Sequence, residues 1–443
     1  MKALHTDLYQ LTMAAGYHQA GKTKDRATFE MFVRRMPYNR NFFLTAGLAQ
    51  AVDYILNLRF EADQIRYLRS LRQFQNAPAD FFEALANFRF TGDVFAVAEG
   101  TPIFAGEPFL TVRAPMVEAQ LLETYLLSMI GFQTTIATKA ARISEAAGTA
   151  GVVEFGSRRA HSPDAGVLAG RAAFIGGCVG TSNVETGFRY GVPVFGTAAH
   201  SWVMSFQSET TAFEQLQQLL GDATVYLIDS YDTLEGARTA AGLGKPMWGV
   251  RLDSGNLLEL ARKVRVILDQ AGFTEAKIMA TGDLNEYRII EMVAAGAPID
   301  LYGVGTDLAT SIDCPSLGAV YKLVELDENG VKRFTAKFSL EKRSMPGAKQ
   351  IFRYADHDEV ACEWECPSGD AEALLRPVIL NGQLVEPLPD LAATRTYAAN
   401  ALKKLPRVCR SLYGHEDAWK VKYSAQLLDV EKQVRNRIAG VGK

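Results

Sequence analysis

"WGVRLDSGNLLELARKVRVILDQAG", Trp248 to Gly272, decides how the second half of this chain is read. It opens on a short apolar run, turns polar at Asp253, Ser254 and Gly255, and then becomes periodic. Leu257, Leu260, Ala261, Val264 and Leu268 recur at the spacing of one apolar helix face, and Gly272 ends the run. A buried strand feeding an amphipathic helix is half of a βαβ unit.

Working outward, the same design repeats. Apolar, β-branched runs stand at GVVEF (151–155), VPVFGT (192–197), TVYLID (224–229), MWGVRLD (247–253), KIMAT (277–281) and LYGVGTD (301–307). Helix-like segments such as NEYRIIEMVAAGAP separate most of them. The expectation is an α/β fold with a parallel sheet, open or closed. Residues 1–128 read as an N-terminal α/β domain and residues 129–324 as the βα catalytic domain. Residues 325–443 are more charged and turn-rich, and read as a segment returning to the N-terminal domain.

With 443 residues, 48% of them hydrophobic, the chain has the composition of an ordinary globular protein. A net charge of -3 argues against a broad basic surface for nucleic acid. No apolar run approaches the roughly 20 residues that span a bilayer. The start reads as mature sequence without a signal peptide. Five scattered cysteines (178, 314, 362, 366 and 409) form no disulfide framework, so a cytoplasmic location is expected. Cys362 and Cys366 in "CEWEC" offer at most half of a structural zinc site, which needs four ligands. Two reduced thiols are expected there.

Parallel α/β folds carry their chemistry at the carboxyl ends of the strands. The residues at those ends are Glu154 with Arg158 and Arg159, Thr197 with His200, and Asp229 with Asp232. Further along come Arg251 with Asp253 and Ser254, Gly282 with Asp283, and Gly303, Gly305 and Thr306. Any one of them has a structural reading, since Asp and Ser often cap the next helix. The conjunction suits anion, sugar and phosphate chemistry. Arg251 offers a planar fork for a carboxylate or phosphate. Asp253 can accept ribose hydroxyls or reach Mg2+. Ser254 and Gly255 are expected at a helix N-terminus, whose free N–H groups favour an anion. Arg158 and Arg159 are expected to point apart, one to an anion and one to a structural pair. His200, in the open setting of "GTAAHS", suits a base, a metal ligand or a nucleophile. Metal ligation is the weakest of these, because no other His or Cys lies at a useful spacing.

The ordered series "DLYQLTM", "FGSRRAHSPDAG", "GTSNVETG", "GTAAHS", "LIDSYDTLEGA", "GVRLDSGNL", "GVGTDL" and "PGAKQIFR" resembles the nicotinate phosphoribosyltransferase family, from Asp7 to about Arg353. The resemblance implies a type II phosphoribosyltransferase: an irregular β/α barrel with a second α/β domain formed by N- and C-terminal segments. It implies that nicotinate and 5-phosphoribosyl 1-diphosphate give nicotinate mononucleotide and diphosphate, with ATP hydrolysed and Mg2+ required. It further implies a homodimer with shared active sites, in NAD salvage.

Carried over by position, the resemblance makes His200 the residue phosphorylated by ATP. Tyr9 stacks on the pyridine ring from the neighbouring subunit. Thr197 and Arg251 bind nicotinate, with Arg158 near the base or phosphates. Asp229 and Asp253 handle Mg2+, diphosphate or ribose, and Ser254 lies in the same motif. Gly282, Asp283, Gly303, Gly305 and Thr306 form the sugar and 5-phosphate cradle. Ser182 stands where nicotinamide-using relatives carry an aspartate, so the carboxylate of nicotinate meets no repulsion there. Rival readings are an enzyme using quinolinate or nicotinamide, an aldolase-like barrel, and a non-catalytic metabolite-binding barrel. "GTAAHS", Ser182, the lack of a strand-end lysine, and the retention of His200 and Asp253 respectively argue against them.

Overall fold

The computed structural model describes residues 3–339, 343–415 and 418–441, and the chain divides into two compact units. The first comprises residues 1–134, 316–390 and 400–443; the second comprises residues 135–315 and 391–399.

In the first unit a seven-stranded sheet is built around Arg26–Val33. That strand is buried along almost its whole length and is flanked antiparallel by Pro108–Pro115 and Ala319–Glu328. Two segments almost 300 residues apart thus share one ladder. The second sheet of this unit joins Glu372–Ala373, Lys349–Arg353, His357–Cys362 and Lys420–Tyr423. Cys362 ends its strand buried among Met345, Val360 and Leu427, and burial pushes its thiol up to about 12, with Glu365 adding to the effect. Cys366 is exposed, and both thiols are free.

The second unit holds six parallel strands. Their order across the sheet is Gly180–Thr181, Gly151–Glu154, Leu301–Val304, Lys277–Ala280, Gly249–Leu252 and Val225–Leu227. Read as a ring this is chain order, and the pairing of Leu301–Val304 with Gly151–Glu154 joins the last strand to the first. An irregular barrel results. Its seam lies after the VPVFGT segment, which is not the regular strand expected. Val194 makes only a single bridge to Thr181, because Pro193 has no N–H to continue a ladder. Helices follow the strands as the periodicity implied. Leu257–Gln270 buries Leu257, Ala261, Val264 and Leu268. Its N-cap is Asn256, whose side chain accepts from the Glu259 N–H, so Ser254 and Gly255 precede the helix terminus. No described helix is long and apolar enough to cross a membrane.

A buried acid pair sits inside the first unit. Asp358 receives both Nε and Nη2 of Arg353, at 2.9 and 2.6 Å. Glu107, fully buried beside it, accepts from the Phe104 N–H. Burial, followed by the neighbouring charge of Asp358, pushes the Glu107 carboxyl well above the usual carboxylate range. A folded-state pKa above the unfolded one contributes stability that is complete below the unfolded pKa and is lost as pH rises through the folded one. The slope is about 1.4 kcal/mol per pH unit across that window. Glu107→Gln, which supplies a neutral donor at every pH, is therefore expected to unfold at a temperature that gains on the parent's between pH 5 and pH 9. Parallel thermal unfolding curves at the two pH values measure this, and an unchanged difference contradicts it.

Candidate active site

The carboxyl ends of the parallel strands gather most of the residues singled out in the sequence. Arg251, near the end of Gly249–Leu252, is the hub. Its Nε donates to Thr281 Oγ1 and its Nη1 to Thr197 Oγ1, both at 2.9 Å. Its Nη2 lies 2.9 Å from Asp253 Oδ1. Thr281 in turn donates its hydroxyl to Asp253 Oδ1, so one threonine braces both members of the ion pair. Burial raises the Asp253 pKa, but the Thr281 hydrogen bond and the Arg251 charge outweigh it and hold the carboxyl below its ordinary value.

His200 begins the short helix His200–Met204. Its Nδ1 is 3.1 Å from Ser230 Oγ and its Nε2 is 3.6 Å from Asp253 Oδ2. With 40% of its side chain exposed, the ring is fixed from two sides yet open to a reactant. Asp229, after Val225–Leu227, accepts through Oδ2 from the Asp253 N–H at 2.9 Å and the Ser254 hydroxyl at 2.6 Å. Its Oδ1 is buried without a hydrogen-bond partner among the described residues. Asp232 has the structural role instead: it caps the helix Thr233–Gly242, accepting from the N–H groups of Leu234 and Glu235.

Two further turns lie at neighbouring strand ends. Gly282 and Asp283 both have positive φ, 98° and 49°. A side chain on Gly282 would run into the carbonyl oxygen of Asp253. Asn285, two residues later, caps the helix Glu286–Ala294 and donates 3.1 Å to Asp307 Oδ2, just past Gly305 and Thr306. At Gly303 a Cβ would strike Thr281 and the Phe155 ring, so close packing of the strand end requires glycine there.

At the opposite side of the ring, Glu154 is completely buried; it takes the Gly156 N–H and, at 2.6 Å, the Thr181 hydroxyl. Ser182 follows directly, its N–H donating to Glu154 O. The next helix is capped by Asn183, which leaves the Ser182 hydroxyl free of that duty. Arg158 and Arg159 correct the expectation drawn for them. They lie in a turn, not on an extended strand, both are exposed, and among the described residues neither has a carboxylate within ion-pair distance. Tyr9 belongs to the first unit, on the helix Leu8–Gln19, where it is 47% exposed beside exposed Leu8 and Met13.

Ser230, Thr281 and Phe155 were not singled out in the sequence. Ser230 and Thr281 stand in quoted motifs, but a hydroxyl beside a charged residue signals nothing until the fold shows what it touches. Phe155, partly buried at the end of the GVVEF strand, packs on Val153, Met279 and Leu301. Among the described residues no three His, Cys, Asp or Glu side chains converge to hold a metal ion.

A parallel β/α ring with an Arg–Asp–His cluster and glycine turns at its strand ends has the architecture of the type II phosphoribosyltransferases. Comparison with known proteins gives the family. The nicotinate phosphoribosyltransferase (NAPRTase) N-terminal domain matches residues 4–131, and the NAPRTase family domain matches residues 151–332. The chain is 42% identical over 422 residues to nicotinate phosphoribosyltransferase pncB2 of Mycobacterium tuberculosis, covering 93% of this chain and 89% of that protein. It is 44% identical over 360 residues to the Bacillus subtilis nicotinate phosphoribosyltransferase, covering 79% and 73%. The crystal structure of human nicotinic acid phosphoribosyltransferase superposes with a TM-score of 0.85 at 29% identity, covering 97% of this chain and 99% of that one. The chain belongs to the nicotinate phosphoribosyltransferase family.

Thr281 carries a direct test of the cluster. Thr281→Val keeps the shape and removes the hydroxyl that braces Arg251 and Asp253. Hydrogen bonds to charged groups contribute about 1.5–3 kcal/mol, so kcat/KM for the family's reaction is expected to fall about 10- to 100-fold. Thr281→Ser should stay within about threefold of the parent. Steady-state kinetics of both variants decide it.

Proposed function

We propose that this chain transfers the phosphoribosyl group of 5-phosphoribosyl 1-diphosphate to the ring nitrogen of nicotinate, coupled to ATP hydrolysis through phosphorylation of His200. The observation that carries the reading is the single cluster of Arg251, Thr197, Asp253 and His200. It sets a guanidinium suited to a carboxylate, a carboxylate suited to developing positive charge, and an accessible imidazole within hydrogen-bond or ion-pair reach of one another.

In the transfer, the bond from C1 to the diphosphate oxygen breaks, and the diphosphate leaves with the electron pair. The pyridine nitrogen supplies the pair for the new C–N bond. Asp253, with its depressed pKa, is a carboxylate where the ribosyl cation character develops. Thr197 and Arg251 meet the nicotinate carboxylate, and exposed Arg158 adds a cation for base or phosphate. Asp229 and Ser254 face the diphosphate and ribose side, while Gly282, Asp283, Gly303, Gly305 and Thr306 hold the sugar and 5-phosphate. In the coupled step, an imidazole nitrogen of His200 displaces ADP at the γ-phosphorus of ATP; water later cleaves the P–N bond and releases phosphate.

The residues present fit Mg2+. Asp229 brings a buried, unpartnered carboxylate oxygen next to Asp253. A cation that keeps its waters and takes substrate phosphates needs only one or two protein carboxylates. Bound Mg2+ would neutralise charge on the departing diphosphate. Tyr9, on its partly exposed apolar helix face, suits the stacking role across a homodimer, and a cytoplasmic place in NAD salvage completes the reading.

The test incubates the protein with Mg2+ and 5-phosphoribosyl 1-diphosphate, plus nicotinate or nicotinamide, with and without ATP. Nicotinate mononucleotide formed faster with ATP is expected. Nicotinamide mononucleotide as main product would overturn the choice of base, and no product would overturn the transferase reading. His200→Ala is expected to abolish phosphoenzyme and ATP hydrolysis, leaving weak ATP-independent product; full coupled activity would contradict the phosphohistidine. Ser182→Asp should raise the KM for nicotinate at least tenfold, because it sets one carboxylate against another; unchanged nicotinate kinetics would remove Ser182 from the base site.

A further inference from the structure

We propose that Lys139 is a positioning residue for the phosphoribosyl donor: a buried cation that locks two neighbouring strand-end turns at one spacing. The inference rests on the reading above, in which those turns cradle the donor's 5-phosphate and sugar.

Lys139 lies on the helix Glu123–Ala147 and is 1% exposed. Its ammonium group is 2.7 Å from Glu286 Oε2 and 2.9 Å from Asp313 Oδ1. Glu286 is the first residue of the helix that follows Gly282 and Asp283. Asp313 lies four residues beyond the short helix Thr306–Ala309 that follows Gly305. One cation therefore joins the downstream ends of two turns whose parent strands, Lys277–Ala280 and Leu301–Val304, are paired side by side. Arg142, one helical turn on, grips the other oxygen of Glu286 at 3.0 Å and the Tyr287 hydroxyl at 3.1 Å. Nearer the mouth, Asn285 spans the same two turns by its bond to Asp307.

The energetics point to register, not stability. Taking an ammonium and a carboxylate out of water costs several kcal/mol per ion, and apolar residues of similar volume often stabilise a fold as well or better. What an apolar replacement cannot do is hold two loops at a fixed separation by drawing a carboxylate from each to one charged centre. A phosphate cradle needs that, because donors displaced by about 1 Å lose much of their effect. Asp283 at positive φ gives the turn a backbone shape that its surroundings must maintain.

The experiment compares the parent with Lys139→Met, Asp313→Asn and the double variant, measuring kcat and separate KM values for 5-phosphoribosyl 1-diphosphate and nicotinate. Lys139→Met is expected to raise the KM for the donor at least tenfold, with the KM for nicotinate within about twofold. Asp313→Asn should show a smaller rise of the same kind, and the double variant should be no worse than Lys139→Met alone. A folded Lys139→Met with unchanged donor KM overturns the assignment, as do equal rises in both KM values. Where Lys139→Met does not fold, Asp313→Asn, at a side chain 22% exposed, decides by the same criterion. A parent that makes no product from nicotinate and the donor overturns the transferase reading itself, and this proposal with it. That outcome is separate from an active parent with unmoved KM values.

Discussion

A guanidinium set among the ends of parallel strands must find acceptors, and the way Arg251 finds them organises the catalytic unit. Its bonds to Thr197, Thr281 and Asp253 link three strand-end segments that are far apart in sequence. Asp253 in turn addresses His200, and its backbone N–H holds Asp229. Remove the hub and Asp253 loses the cation that balances its partly buried charge, while Thr197 and Thr281 each lose a donor, which costs more than the net worth of the bonds themselves.

The remaining strand ends are tied in the same manner, neighbour to neighbour. Glu154 bridges the segment at Gly156 to the end of the strand Gly180–Thr181, and Asn285 bridges to Asp307. Buried and partly buried carboxylates and amides thus stitch the rim of the ring into a sequence of fixed pairs. Parallel strands of only two to four residues supply few ladder bonds of their own. The buried polar bridges set the relative heights of loops that the short ladders leave loosely specified.

Much of this was legible in the sequence because strand and helix announce themselves by period. The helix Leu257–Gln270 was readable from five apolar residues, four of which are buried. The strand-end rule then pointed at Arg251, Asp253, His200 and Asp229 without any contact being known. Three things were hidden. VPVFGT has strand composition, but Pro193 cuts its pairing to one bridge. Arg158 and Arg159, expected to point apart with one in a structural pair, lie where the chain turns at once, and neither meets a carboxylate among the described residues. Thr281, Ser230 and Lys139 act through what they touch across gaps of 28, 30 and more than 140 residues, and such gaps leave no local pattern to read.

The cluster also gives the proposed coupling a physical logic. Arg251 and Asp253 satisfy each other, so the cation proposed for nicotinate and the carboxylate proposed for ribose are held in an internal pair. A nicotinate carboxylate arriving at Arg251 would compete with Asp253 for the same donors. A phosphoryl group on His200 would place negative charge close to Asp253 Oδ2, whose distance from Nε2 is 3.6 Å, and like charges at that range repel strongly in a partly desolvated site. Asp253 is then driven toward whatever positive charge is at hand: Arg251, a bound divalent cation, or the ribosyl centre as it loses diphosphate. The proposed phosphorylation would need no distant conformational relay in this arrangement. It would change the charge seen by the one carboxylate that Arg251, Thr281 and His200 all address.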